Sequence, residues 1–458
     1  MPEDSGRGGR GRSSRGGRSG RQSGGRGEVR RGRRMPSGRG FERWKKPKPV
    51  ASKEEVETIL RLSEIDEIEL KIDQLVFGGD GMGRLDGIPV FVPRTAPGDR
   101  VRVRLTERRP GYARGELVEL LEPGDGRREP PCSYFERCGG CDLQHLDEPT
   151  QLRLKAQAVV ETLRRLGGVE RPPNLKVVSS NAFGYRMRTQ LHLGTHERGR
   201  TVGYFARGSN DLVPVDSCPV LVGDLERLLP RLPRLLVDDP HSRIDLAVGD
   251  GGVVHSAPPV PALPHGELTR TVETPEGTFE YLFDPRCFFQ SHLLLTPKLV
   301  EVALGDFADP EGEVFDLYAG VGLFALPLAR RYGKLTAVES DRTAVRYLRK
   351  NLKACGAGEA RTESVTVEHW IDELPAGAAR VVVDPPRTGL ARRVRDVLLE
   401  RAPRRITYVS CNASTLARDL KRLLLGYEIE SLTLLDMFPQ TGHMEQVVQL
   451  NRKLGESQ

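Results

Sequence analysis

Residues 314–341 constrain this chain more than any other stretch, because they hold a strand, a glycine turn, a helix, a second strand and an acid in that order. Val314, Phe315 and Leu317 belong to a short apolar run, Gly320 and Gly322 break it, and 323–329 is an apolar helical pattern. A second apolar run, 335–338, then ends at Glu339 and Asp341. That order opens a doubly wound parallel sheet, in which the glycines admit a ligand to the first turn and the acid, about twenty residues on, takes ribose hydroxyls. Two more runs extend the pattern: 380–383 leads to Asp384, Pro385, Pro386 and Arg387, and 405–410 leads to Cys411 and Asn412. Ligands of open α/β sheets sit at the carboxyl ends of the strands, so Asp384 and Cys411 are expected to face one crevice.

The turn also narrows the ligand. It lacks the third spaced glycine of a pyrophosphate site, and the chain has no Gly-Lys-Ser or Gly-Lys-Thr for a nucleoside triphosphate. S-Adenosylmethionine carries a ribose and no phosphate, so a shorter turn suffices for it. Cys411 reads either as a nucleophile, provided its pKa is lowered locally, or as an inert buried thiol.

Seven cysteines, an odd number with clustered spacing, argue against a secreted disulfide framework. Cys132, Cys138 and Cys141 form a C-x5-C-x2-C run, with Gly139 and Gly140 letting the backbone bend round an iron–sulfur cluster or a zinc ion. Spacing alone leaves both open. A fourth ligand is needed to close the site. Cys218 is the expected one, because Cys287, Cys355 and Cys411 lie in the catalytic half, and His145 is its rival. Radical enzymes that use S-adenosylmethionine have a C-x3-C-x2-C spacing and keep one iron open, so a closed four-cysteine site points to structure or RNA binding instead.

The charge is unevenly divided. Residues 1–48 hold 13 Arg and 3 Lys against four acids, a net of +12, which leaves −5 for the remainder of a chain whose total is +7. This Gly/Arg/Ser tail has too little hydrophobicity to offset the entropy of ordering it. It reads as a solubilising tail or, by preference, as an arm that tracks phosphates and stacks on single-stranded nucleic acid. No apolar run approaches the length of a membrane span, and the N-terminus lacks a signal peptide's apolar centre, so a cytoplasmic protein is expected.

Short β-rich stretches at 69–75, 88–92, 100–105 and 114–120, separated by glycine-rich turns, predict a small barrel of the oligonucleotide-binding kind. This segment resembles a TRAM domain. A helical pattern follows at 150–166, and Arg186 and Arg188 share one side of a strand that is either RNA-facing or solvated.

From the barrel segment to the C-terminus, about 390 residues, the chain resembles the RNA uracil-C5 methyltransferases, which make 5-methyluridine in ribosomal or transfer RNA. The matching stretches are the four cysteines, Cys287-Phe288-Phe289-Gln290, residues 316–322, Glu339, Asp384-Pro385-Pro386-Arg387, Ser410-Cys411-Asn412 and 436–445. The resemblance implies a [4Fe–4S] cluster on Cys132, Cys138, Cys141 and Cys218, and S-adenosylmethionine at Gln290, Tyr318, Glu339 and Asp384. It further implies Cys411 as nucleophile and Glu445 as general base. Ala319 departs from the family pattern, where many relatives carry cysteine, but that position is neither ligand nor catalytic. The implied fold is α/β: an OB-like TRAM barrel (63–124) after the tail (1–62), a central α+β iron–sulfur and RNA-binding domain (125–282), and a Rossmann-like class I methyltransferase domain (283–458). RNA is the expected partner, ribosomal before transfer RNA because some bacterial transfer-RNA enzymes lack the cluster and barrel. A monomer without membrane contact is expected; a transfer-RNA uridine methyltransferase and a non-catalytic RNA-binding protein are the alternatives.

Overall fold

The computed structural model describes residues 65–196, 199–236, 241–305 and 311–453. The basic tail expected at 1–62 lies outside the described residues. Five strands, β1 (Glu67–Leu75), β2 (Gly81–Leu85), β3 (Ile88–Val92), β4 (Arg100–Arg109) and β5 (Tyr112–Glu122), close into a barrel in the order β1-β2-β3-β5-β4. Alternation over residues 67–73 of β1 sends Ile68, Leu70 and Ile72 inward, as the two-residue period of a strand requires. Closure leaves no free edge to template aggregation. On the outer wall Arg100, Arg102 and Arg104 pair with Glu122, Glu119 and Glu67 at 2.7, 2.5 and 2.9 Å. These exposed pairs are worth little to stability, but they neutralise that wall.

A helix, Glu148–Thr162, follows the cysteine run. Asp147 caps it by accepting from Thr150 N at 2.8 Å, and Pro149 sits in its first turn, where its missing N–H costs nothing. The helix ends in a π-helical turn, Leu163–Gly167. The chain then makes the three-residue strand β6 (Lys176–Val178) and an antiparallel sheet of β7 (Arg188–His196), β8 (Gly199–Phe205), β9 (Leu212–Pro214), β10 (Arg243–Val248) and β11 (Val254–Ala257), ordered β11-β10-β7-β8-β9. A hairpin of β12 (Leu268–Thr274) and β13 (Gly277–Phe283) leads on to the last part.

That part is built on β14 (Val314–Leu317), β15 (Leu335–Glu339), β16 (Arg361–Ser364), β17 (Arg380–Val383), β18 (Arg405–Ser410), β19 (Tyr427–Leu435) and β20 (Glu445–Arg452). The sheet runs β16-β15-β14-β17-β18-β20-β19-β6. Its first five strands are parallel, β20 and β19 pair antiparallel, and β6 joins β19 in parallel. Every residue of β14 and β17 is buried, the mark of central parallel strands covered on both faces. Arg380 is tolerated there because its guanidinium donates to Ala303 O and Thr407 Oγ1, each at 2.6 Å. Among the described residues no helix is long and apolar enough to cross a membrane.

Candidate active site

Strand register brings most of the expected residues to one edge of the large sheet. Leu317 of β14 pairs with Val338 of β15 and with Val383 of β17, so Tyr318, Glu339 and Asp384 emerge side by side. Ser410 of β18 pairs antiparallel with Gln446 of β20, so Cys411, just after the one, and Glu445, just before the other, come next to one another. Tyr318 turns the chain with φ 68, a left-handed conformation that costs a tyrosine on the order of 1 kcal/mol and persists only where its surroundings enforce it. Here Val338 O enforces it by accepting from Tyr318 N and Ala319 N at 3.0 and 3.1 Å. The two glycines differ in task. A Cβ on Gly320 would meet nothing within 4 Å, whereas one on Gly322 would lie 2.7 Å from Leu326 Cδ1, so the first leaves room beside the turn and the second permits helix packing.

Glu339 sits at the centre of this turn, accepting from Gly320 N at 2.9 Å and from Asp341 N at 2.7 Å. The Tyr318 hydroxyl donates to Glu368 Oε1 at 3.2 Å. The crevice is crowded with acids. Burial pushes the Asp316 carboxyl well above its ordinary range, and Asp384 and Glu339 add to the rise. Burial also lifts Asp384 to about 7 and raises Glu445 well above normal, with Asp384 adding and Arg387 opposing. The Cys411 thiol is pushed up to about 11, first by burial and then by Glu445, with Arg387 again opposing. A cation entering among these groups would draw all four toward their ionised forms. Because only thiolate reacts, alkylation of Cys411 by iodoacetamide in the free protein should accelerate about tenfold per pH unit between about pH 7 and about pH 10. Mass spectrometry of the peptide carrying residue 411 reads the rate; a plateau below about pH 8 would contradict the raised pKa.

Gln290 is buried on the turn after β13. Among the described residues no hydrogen bond joins it to Tyr318, Glu339, Asp384 or Cys411. Arg188 buttresses that turn, donating to Phe289 O at 3.1 Å and to Pro285 O at 3.0 Å, while Phe288 stands 65% exposed beside it. Arg188 is therefore committed to main-chain carbonyls, which is neither of the two roles read from the sequence.

Arg186 lines a different feature. Cys132, Cys138, Cys141 and Cys218 border a cavity of about 350 Å³ together with Arg186 and Tyr204. All seven cysteines are free. Burial pushes the Cys141 and Cys218 thiols up to about 12 and about 11. Among the described residues no group of three or more His, Cys, Asp or Glu side chains forms an arrangement able to hold a metal ion. The four thiols border one shared cavity. His145, the rival fourth ligand, does not border this cavity.

A family model described as tRNA (Uracil-5-)-methyltransferase matches residues 262–453, and a TRAM domain model matches 63–118. An uncharacterized RNA methyltransferase of Gloeobacter violaceus is 34% identical over 444 residues, covering 84% of this chain and 96% of its own length. The 23S rRNA (uracil(1939)-C(5))-methyltransferase RlmD of Pseudomonas putida is 32% identical over 418 residues, covering 82% of this chain and 92% of its own. The chain belongs to the RNA uracil-C5 methyltransferase family. Among solved structures, the tRNA (uracil-54, C5)-methyltransferase of Pyrococcus abyssi in complex with S-adenosyl-L-homocysteine superposes with a TM-score of 0.64 at 26% identity, covering 84% of this chain and 100% of that one.

In this uracil-C5 methyltransferase, Arg387 and Asp316 stand in the sequence only as parts of longer motifs, with nothing local to mark a task of their own. Their signal is electrostatic. Arg387 is the cation set against Cys411 and Glu445, and Asp316 is the acid buried beneath Asp384 and Glu339. Lys155 and Asp436, buried and paired at 2.5 Å, gave no local signal, since their positions are far apart in the chain.

Proposed function

We propose that this methyltransferase places a methyl group on C5 of a uridine in 23S ribosomal RNA, with Cys411 as nucleophile and Glu445 as general base. The observation that carries this reading is the β18–β20 register, which sets the thiol and the carboxylate together at the acid-lined end of the sheet. Gln290, Tyr318, Glu339 and Asp384 are the residues assigned to S-adenosylmethionine. The acidic crevice, the open space beside Gly320 and the acid that closes β15 suit a ribose-bearing cation. When bound, S-adenosylmethionine supplies an electrophilic methyl group on a positively charged sulfur.

Uracil C5 is too weak a nucleophile to take that methyl unaided. The Cys411 thiolate adds to C6, and the electron pair of the C5–C6 double bond shifts onto C5 and the O4 carbonyl. C5 then accepts the methyl group. Glu445 removes the remaining C5 proton, the C–H pair re-forms the double bond, and the C6–S bond breaks to return the thiolate. Arg387 favours the ionised forms of both Cys411 and Glu445, which these two steps require. The target base must be splayed from a loop or flipped out of a helix to reach the crevice.

Cys132, Cys138, Cys141 and Cys218 are assigned to a [4Fe–4S] cluster. Soft thiols suit iron, a cavity of about 350 Å³ suits a group of several atoms, and Arg186 in its wall suits the anionic charge of a thiolate-bound cluster. The barrel, with the tail and the central segment (125–282), is assigned to RNA affinity, and 283–458 to catalysis, in a monomeric cytoplasmic protein. Transfer RNA is the second reading, favoured by the likeness to the Pyrococcus abyssi enzyme. Protein prepared without oxygen should transfer label from methyl-labelled S-adenosylmethionine to 23S ribosomal RNA, recovered after digestion as 5-methyluridine. Label appearing in transfer RNA alone selects the second reading, and label only in 5-methylcytidine, or none, rejects both.

A further inference from the structure

The loop 436–444, between β19 and β20, delivers Glu445 to the crevice, and side chains remote from the chemistry grip it from two sides. Gln440 is its anchor. It is fully buried and held at φ 68, a strained conformation for a side-chain-bearing residue. From the cysteine-bearing side, the backbone N–H groups of Asp142 and Leu143 donate to Gln440 O at 2.8 and 3.0 Å. The Asp142 carboxylate accepts from Gly442 N at 2.9 Å and is paired with Arg207. From the helix Glu148–Thr162, Gln151 Nε2 donates to Gln440 Oε1 at 2.9 Å, and Gln440 N donates to Gln151 Oε1 at 3.2 Å. One turn further along, Lys155 Nζ spans the base of the loop, donating to Asp436 Oδ1 at 2.5 Å and Phe438 O at 3.1 Å. Gly442 permits the close approach: a Cβ there would lie 2.2 Å from Gly78 C.

We propose that Asp142 and Gln151 are positioning residues for Glu445. This inference rests on the reading of Glu445 as the base. The clasp joins two parts of the chain about 300 positions apart, and it acts on one step of the reaction, removal of the C5 proton. Asp142 directly follows Cys141. The turn that borders the cysteine cavity is therefore the same turn that seats the catalytic loop, which gives the cavity a bearing on catalysis without any redox event.

A structural weakening would lower every step together, whereas a misplaced base stalls the reaction after methyl transfer, with RNA still bonded to Cys411. The experiment compares D142A, D142N, Q151A and E445Q, measuring kcat, KM and the fraction of protein that runs as an RNA adduct on a denaturing gel. D142A and Q151A should lose about 10- to 100-fold in kcat, the scale of an ångström of misplacement, with KM within about twofold. Both should accumulate the adduct that E445Q accumulates. D142N, which keeps an oxygen to accept from Gly442 N, should recover most of the activity. Hydrogen exchange at the amides of 437–444 should quicken in D142A and Q151A and not in E445Q. A loss of kcat in D142A and Q151A with no adduct, or no loss at all, overturns the proposal; if D142A does not fold, Q151A decides by the same criterion. Absence of adduct in E445Q instead overturns the base assignment itself.

Discussion

Replacing Cys411 by serine should abolish 5-methyluridine formation, by on the order of 10⁴-fold or more, while leaving S-adenosylmethionine affinity within about threefold of its original value. Covalent addition to C6 is the step that makes C5 nucleophilic, and a serine hydroxyl at the same place is protonated throughout the accessible pH range. The substitution changes one atom at the end of β18, beyond the last paired residue Ser410, and leaves the Tyr318 turn and Glu339 untouched. Calorimetric titration of the cofactor and a labelled-methyl assay separate the two quantities. C411S retaining more than about one hundredth of the activity would show that the thiol is not the nucleophile.

Glu445→Gln should produce a different failure. Addition and methyl transfer proceed, but the C5 proton has no acceptor, so turnover falls by about 10²- to 10⁴-fold and protein accumulates bonded to methylated RNA. The sign of the stability change distinguishes this from damage to the fold. Burial raises the Glu445 carboxyl above its ordinary pKa, so the folded state holds its proton where the unfolded chain has released it, and stability declines as pH climbs past the ordinary carboxylate value. A neutral isostere removes that penalty. E445Q should therefore melt no lower than the original protein at neutral pH, and a Tm lower by several degrees would mean that the carboxylate is ionised and satisfied in the folded state.

The ends of the central strands were legible because each closes a largely apolar run with a residue able to do chemistry: Glu339 as the last residue of β15, Asp384 just after β17 and Cys411 just after β18. Period and punctuation are local properties, and a buried parallel strand has little freedom to shift. The barrel shows where such reading stops. No strand is expected between residues 75 and 88, yet 81–85 form β2. Gly81 and Gly83 are strand glycines because a Cβ would lie 2.1 Å from Thr95 Oγ1 at the first and 2.2 Å from Lys71 O at the second. Their reason is the approach of a neighbour rather than a turn. Gly78 and Gly79, with φ of 104 and 93, do make the turn. The clasp on Gln440 was illegible for a related cause: its partners Asp142 and Gln151 are polar residues in unremarkable settings, and only the folded chain brings them to the loop.

The strand β6 carries a consequence for how this enzyme can be taken apart. Three residues from well before the catalytic sequence complete its sheet, Lys176, Val177 and Val178 pairing with Thr433, Leu434 and Leu435, and Asp436 N donates to Val178 O at 2.9 Å. A fragment beginning after the hairpin would present β19 as a bare edge, with its hydrogen-bonding groups open to any other chain, and would lack Lys155 to satisfy Asp436. The catalytic sheet is thus not a cassette that recombination or protein engineering can lift out intact. Swapping RNA-binding parts between relatives should succeed at the barrel, whose sheet closes on its own strands, and fail at any junction that leaves β6 behind.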